Sequence, residues 1–360
     1  MIGLRTSLTV VGALCLAAAS ACSSNVDPSS GTTGASSTTG ATSASSSGGG
    51  SGSSSSSGTG GAGGKFDPGG EVTALESAIG PIALEPGDEK TQCIEVSLKN
   101  AEGAFVRRLR AELDEGSHHV IIYRSSATQE DLVPKDCNGL GGILTGDHPI
   151  MIAQQAKSEL VFPNDEAGTP VGLEISPNQM VKLEMHFINT TGAKLPVTGK
   201  IFLDTVPLST KVVKSDLAFW GTGNIDVPAN GTGDTGVKFQ KALAGTKTFA
   251  LTTHQHHYGT RMRVWHTSSA SDTSSEPVAD GQNWSDPTLE IFAPPLDFPA
   301  SGGSKFSNMG LAYQCEWKNP SPKDVKFGEG FNDEMCFLWH YYYPSQGFQV
   351  CMDGLCKKTF

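Results

Sequence analysis

From Lys65 onward the chain never sustains the apolar spacing of an amphipathic helix. Short runs alternate apolar and polar residues with period two and are cut by Gly, Pro, Asn and Asp. Cys93-Ile94-Glu95-Val96-Ser97-Leu98, His119-Val120-Ile121-Ile122-Tyr123, Val181-Lys182-Leu183-Glu184-Met185-His186-Phe187 and Lys247-Thr248-Phe249-Ala250-Leu251 are examples. Period-two alternation suits a pleated strand with one face on a core, and frequent turn residues keep such strands short. The pattern predicts an all-β chain of antiparallel β-sandwich, jelly-roll-like domains. The length, 360 residues, favours two domains. Val206-Pro207-Leu208 follows a strand-like run, so the break is predicted near Leu203 to Ser209, giving domains 65–205 and 206–360.

The segment before Lys65 has a different character. Arg5 precedes a nearly uninterrupted apolar run, Leu8 to Ala19, which is short for a membrane span and reads as a signal peptide over residues 1–21. The run ends in Ala19-Ser20-Ala21-Cys22. Small residues before a cysteine predict a lipoprotein cleavage box with Cys22 acylated, although Ala19 stands where Leu is usual. A soluble secreted protein with Cys22 free is the competing reading, and Cys15 is removed in either case. Ser23 to Gly64 is almost wholly Ser, Gly, Thr and Ala, which gives no core to fold around. About 40 such residues make a tether with an r.m.s. reach of roughly 35 Å. The expected location is the bacterial cell envelope, at the outer membrane or cell surface, with the lipid as the only membrane contact.

The net charge of −11 argues against nucleic acid or anionic lipid as a partner. After Cys22 six cysteines remain: Cys93, Cys137, Cys315, Cys336, Cys351 and Cys356. An even number in an exported protein favours disulfides over thiolate metal sites, and six cysteines allow 15 pairings.

Most of the nine histidines are clustered. His118 and His119 are adjacent, after Glu115-Gly116-Ser117. His186 lies in a strand-like run, and Thr253-His254-Gln255-His256-His257 carries three more. Met335 sits in Asn332-Asp333-Glu334-Met335-Cys336, before the aromatic run Trp339-His340-Tyr341-Tyr342-Tyr343. Residues two apart on a strand share a face, so His254 and His256 are predicted to serve one metal while His257 points away. Adjacent His118 and His119 diverge on a regular strand and meet one metal only at a twist or bulge, which the Gly116 neighbourhood permits. Imidazole suits zinc, copper, iron and nickel; thioether sulfur suits copper, above all Cu(I). Taken singly, His186 and Met335 read as ordinary core residues.

The ordered set resembles the copper type II, ascorbate-dependent monooxygenases, the family of peptidylglycine α-hydroxylating monooxygenase and dopamine β-monooxygenase. The matching elements are His118-His119 before an aliphatic strand, Glu184-Met185-His186-Phe187, His254-Gln255-His256-His257, and Asp333-Glu334-Met335-Cys336. The likeness spans roughly Leu84 to Cys351. It implies a copper held by His118, His119 and His186 in the N-terminal domain. A second, oxygen-binding copper would be held by His254, His256 and Met335 in the C-terminal domain, so that these three are the catalytic residues. It implies two sandwiches with the coppers facing across a solvent-filled cleft. Cu(I) and O2 at the methionine site would abstract a hydrogen atom, with one electron from the other copper and reloading by ascorbate or another reductant. The expected pairing is Cys93–Cys137, Cys315–Cys336 and Cys351–Cys356, and the first two spacings resemble family disulfides.

Thr252 stands where the peptide-hydroxylating branch places a carboxylate-binding Arg, and Phe337 and Trp339 replace its Asn and Tyr. None of the three offers a carboxylate a charged donor. The run Met335 to Pro344 is more similar to the dopamine-hydroxylating branch. The expected partners are a small organic substrate and O2, with no protein partner. The alternative function is a non-catalytic copper-binding surface lipoprotein for metal handling or sensing.

Overall fold

The computed structural model describes residues 66–137, 143, 146–300 and 308–359. The signal peptide, Cys22 and the Ser/Gly tether lie outside the described residues. Among those described, no helix is long and apolar enough to cross a membrane.

The N-terminal strands are β1 (Thr73–Leu84), β2 (Glu89–Ser97), β3 (Ala104–Leu113), β4 (Ser117–Arg124), β5 (Asp131–Asp136), β6 (His148–Ala153), β7 (Lys157–Val161), β8 (Val171–Ile175), β9 (Met180–Ile188), β10 (Leu195–Pro207) and β11 (Val213–Lys214). The C-terminal strands are β12 (Asp216–Gly221), β13 (Asp226–Val227), β14 (Gly231–Asp234), β15 (Lys238–Lys241), β16 (Thr246–His254), β17 (Gly259–Thr267), β18 (Ala279–Gly281), β19 (Leu289–Phe298), β20 (Gly310–Asn319), β21 (Val325–Lys326), β22 (Phe337–Tyr343), β23 (Phe348–Met352) and β24 (Leu355–Thr359).

One N-terminal sheet runs β1-β10-β3-β8-β11 with β7 also on β3, and the other runs β5-β2-β9-β4-β6. The C-terminal half has β19-β16-β22-β12-β23-β24 and β14-β20-β17-β18, with β15 also on β20. Pairing is antiparallel except for β8–β11 and β12–β23. The chain is thus all-β, as the alternation predicts. Sheet membership changes between Lys214 and Asp216, later than the predicted break at 205/206. Val213 and Lys214 still pair with β8, so they remain part of the N-terminal sheet.

Strand β22 explains how the halves meet. Phe337, Trp339, Tyr341 and Tyr343 join the hydrophobic cluster of the N-terminal sandwich, while Leu338 and Tyr342 join the separate C-terminal one. On β12, Leu217 and Phe219 face the first cluster, and Ala218 and Trp220 the second. Successive side chains leave opposite faces of a strand, so a strand apolar at every position is buried on both sides. The β22 sheet therefore lies between two cores. One of its faces packs on the N-terminal sandwich, where the Phe162 ring, just after β7, lies 5.5 Å from Phe249 of β16. The solvent-filled cleft that the resemblance implies is closed: aromatic side chains fill the space between the sandwiches. All three expected disulfides are present, Cys93–Cys137, Cys315–Cys336 and Cys351–Cys356.

Candidate metal centre

His118 and His119 open β4 beside β9. Their register places Ser117 opposite Phe187 but His119 opposite His186, so one extra residue, His118, bulges out of the ladder. Gly116 precedes the bulge with φ of 89°, a left-handed conformation that disfavours residues with a Cβ. The bulge turns both adjacent imidazoles inward: ring centroids are 5.0 Å apart for His118–His119, 5.4 Å for His118–His186 and 5.3 Å for His119–His186.

His254 and His256 also converge, at 5.2 Å and nearly perpendicular. They do so differently from the expected strand geometry. β16 ends at His254, opposite Phe337, and His256 belongs to the following turn, which closes through Gly259 N–H to His256 O. The turn is shaped by Glu334. This buried carboxylate accepts the backbone N–H of His256 (3.1 Å), Tyr258 (2.8 Å) and Met335 (3.3 Å), and the Trp317 indole N–H (2.7 Å). Burial pushes its pKa up to about 7, against the lowering effect of those donors. His257 points elsewhere: its ring stacks on Phe331 at 4.1 Å.

The two groups form one cluster. His118 is 5.8 Å from His254 and 6.0 Å from His256, and His119 is 5.3 Å from His254. Two imidazole triads have ligand nitrogens within 4.8 Å of one another: His118, His119 and His186, and His118, His254 and His256. His118 belongs to both. A cavity of about 20 Å³ is lined by His119, His186, His254, His256 and Met335, with Ile121, Ile152, Glu184, Phe337 and Trp339 in its wall. All six expected ligands thus converge on one place.

The partners of each ring fix which nitrogen faces inward, because a carbonyl or carboxylate only accepts. His256 donates from Nδ1 to the Gly330 and Asp333 carbonyls (3.0 and 3.1 Å), leaving Nε2 as the lone pair. His186 donates from Nε2 to Glu89 Oε1 (3.1 Å), leaving Nδ1. His254 Nδ1 lies 2.6 Å from Gln154 Oε1, again leaving Nε2. His119 Nδ1 is buried with no hydrogen-bond partner in the protein. Burial and the neighbouring imidazoles hold His118 down at about 3 and His256 at about 4, and burial drives His119 and His254 well below the usual histidine range. Neutral rings with free lone pairs are what a cation requires. The orphaned His119 nitrogen, the two triads and a thioether fit copper.

Motif reading missed several residues here. Glu89 accepts the Phe331 backbone N–H at 2.6 Å besides touching His186, and so joins the two halves. Glu184 is buried beside the cavity, bonded to Tyr123 Oη at 2.9 Å, and burial pushes it up to about 7. Trp284 packs edge-on to His118 at 5.6 Å. Only Glu184 had a local signal, its place two residues before His186 on the same strand face. Thr252 is taken up in hydrogen bonds to Gln154 and to Thr288 O. Phe337 and Trp339 are core residues that also wall the cavity.

Two imidazole triads and a methionine in an all-β chain form a candidate metal centre. Residues 234–360 match the model of the copper type II ascorbate-dependent monooxygenase C-terminal domain, so this part of the chain is similar to that family's C-terminal domain. No curated protein matches the chain. Among solved structures, similarity is found to the STIV MCP, at 10% identity and TM-score 0.31 over 76% of this chain and 97% of that one. PBCV-1 VP54 is similar at 10% identity and TM-score 0.23, over 81% and 97%. PNGF-II is similar at 11% and TM-score 0.24, over 75% and 65%. Scores this low carry no inference about either fold or function.

Proposed function

We propose that the chain is a dicopper monooxygenase that hydroxylates a C–H bond of a small organic substrate with O2 and an external reductant such as ascorbate. The observation that carries this reading is the convergence of four imidazoles and Met335 on one small cavity, with the fifth imidazole, His118, beside them in both triads. Copper bound there supplies oxygen activation and the electrons of the reaction.

The chain's own part is binding, orientation and exclusion of water. His118, His119 and His186 hold one ion, and His254, His256 and Met335 the other. Glu89, Gln154 and the Gly330 and Asp333 carbonyls keep the outward ring nitrogens occupied, so that the inward ones stay free. Met335 supplies a soft sulfur that favours the reduced ion. Ile121, Ile152, Phe337 and Trp339 wall the cavity with apolar surface. We place this head outside the cytoplasm, tethered to the envelope through Cys22.

The sharing of His118 between the triads favours a second reading, a copper-handling protein whose cluster takes a single ion. Metal analysis together with ascorbate-coupled O2 uptake on a panel of small amines and aromatics separates the two. The monooxygenase reading expects two copper ions per chain and one oxygen atom gained by a panel compound. One copper and no coupled uptake overturn it.

A further inference from the structure

Gln154 follows β6 in the N-terminal sandwich and is 6% exposed, yet its carboxamide bonds only to the C-terminal one. Its Nε2 donates to Thr253 O at 2.9 Å and to Thr252 Oγ1 at 3.1 Å. Thr252 in turn donates to Thr288 O at 2.9 Å. Thr253 O can only accept, and the Thr252 hydroxyl proton is committed to Thr288. Both acceptors therefore demand the NH2 end of the amide, and the oxygen is left facing His254 Nδ1 at 2.6 Å. A residue of one sandwich thus dictates the tautomer of a ring in the other.

We propose that Gln154 is a positioning residue that makes the metal-ready form of His254 depend on contact between the two sandwiches. The proposal rests on the copper reading of the site. With the sandwiches together, Nδ1–H has its acceptor and Nε2 is presented to the cavity. With them apart, His254 loses that acceptor and the preference between its two nitrogens. Coupling of this kind is reciprocal: an ion on His254 and His256 strengthens the contact that orients His254. Gln154 bonds to His254 and not to His118, His119 or His186, so the effect falls first on the methionine-containing site.

The test is Cu(I) titration of the full chain against a chromogenic chelator. X-ray absorption, where the Cu–S contribution of Met335 reports its own site, accompanies it. Gln154→Leu is expected to weaken the sulfur-containing site by about 10- to 100-fold, the usual effect of losing a ligand's hydrogen-bond partner, and to leave the other site within about threefold. Gln154→Glu keeps an oxygen opposite Nδ1 but loses the donation to Thr253 O, and is expected to bind more tightly than Gln154→Leu while falling short of wild type. If Gln154→Leu does not fold, Gln154→Asn, one methylene short of His254, is expected to give the same selective loss. Equal weakening of both sites, no weakening, or a Gln154→Glu protein as weak as Gln154→Leu overturns the proposal. Failure of wild type to bind copper overturns the copper reading itself. Two coppers in wild type without a site-selective loss overturns only the role of Gln154.

Discussion

His340 makes the acid side of the stability curve predictable. It lies on β22 with its ring fully enclosed, edge-on to Trp220 at 4.3 Å, and with Nδ1 2.9 Å from Thr248 Oγ1. Nε2 has no partner in the protein. Burial holds its pKa down at about 3, whereas an unfolded chain protonates histidine near 6.5. A depressed histidine stabilises the fold while it is neutral. That stability is therefore complete above about pH 6.5 and is lost as pH falls toward 3. Each pH unit in that window costs about 1.4 kcal/mol, or about 2 kcal/mol between pH 6.5 and 5. For a folded region of this size that is a loss of about 3 °C in Tm. His340→Leu removes the titration. It is less stable at pH 7.5, because Thr248 loses its partner and the shape changes, but the gap to wild type narrows by about 2 kcal/mol at pH 5. Thermal unfolding of both proteins at the two pH values measures this difference, and the histidines of the cluster, common to both, cancel from it. Parallel curves with a constant gap refute the argument, since they mean that His340 is as protonatable folded as unfolded.

Met335→His is expected to keep near-normal copper, to resist reduction and to lower hydroxylation by orders of magnitude, with no Cu–S signal in the reduced protein. Full activity of that variant makes Met335 a core residue only. Replacing Cys315 and Cys336 by Ser opens a bridge spanning 21 residues and is expected to cost roughly 3 kcal/mol in chemical denaturation. The same change at Cys351 and Cys356, a separation of 5, is expected to cost less. Gly221→Ala puts a methyl 1.9 Å from Phe337 Cδ1 and 2.4 Å from Cys336 O. It is expected to destabilise by about 1–3 kcal/mol or more and to weaken copper at the adjacent Met335, with an unchanged melting curve as the contrary result.

The strands were legible because alternation and turn residues are local signals. The bulge at His118 was legible too, since adjacent histidines after Gly116 can share a metal in no regular strand. The end of β16 was not. His254-Gln255-His256 suits a strand, but Glu334, 78 residues away from His256, captures the His256 N–H and bends the chain. The closure of the sandwiches was hidden for a related reason. The run Phe337 to Tyr343 reports burial on both faces, yet says nothing of what covers each. Gln154 and Glu89 lie 100 and 97 residues from the histidines they orient, and neither belongs to a motif. Hydrogen bonds made by folding leave no trace in spacing.

The cavity among the histidines, about 20 Å³, has room for roughly one water molecule. On the monooxygenase reading, an organic substrate is too large for that cavity. On that reading, admitting a substrate to the cavity parts contacts between the sandwiches such as Glu89–Phe331 and Gln154–His254. Domain motions of that kind run on microsecond to millisecond timescales. On the proposed monooxygenase reading, such an opening, where it is slower than the chemistry, sets turnover. In a viscous medium kcat then falls with solvent friction, while the affinity for metal stays where it was.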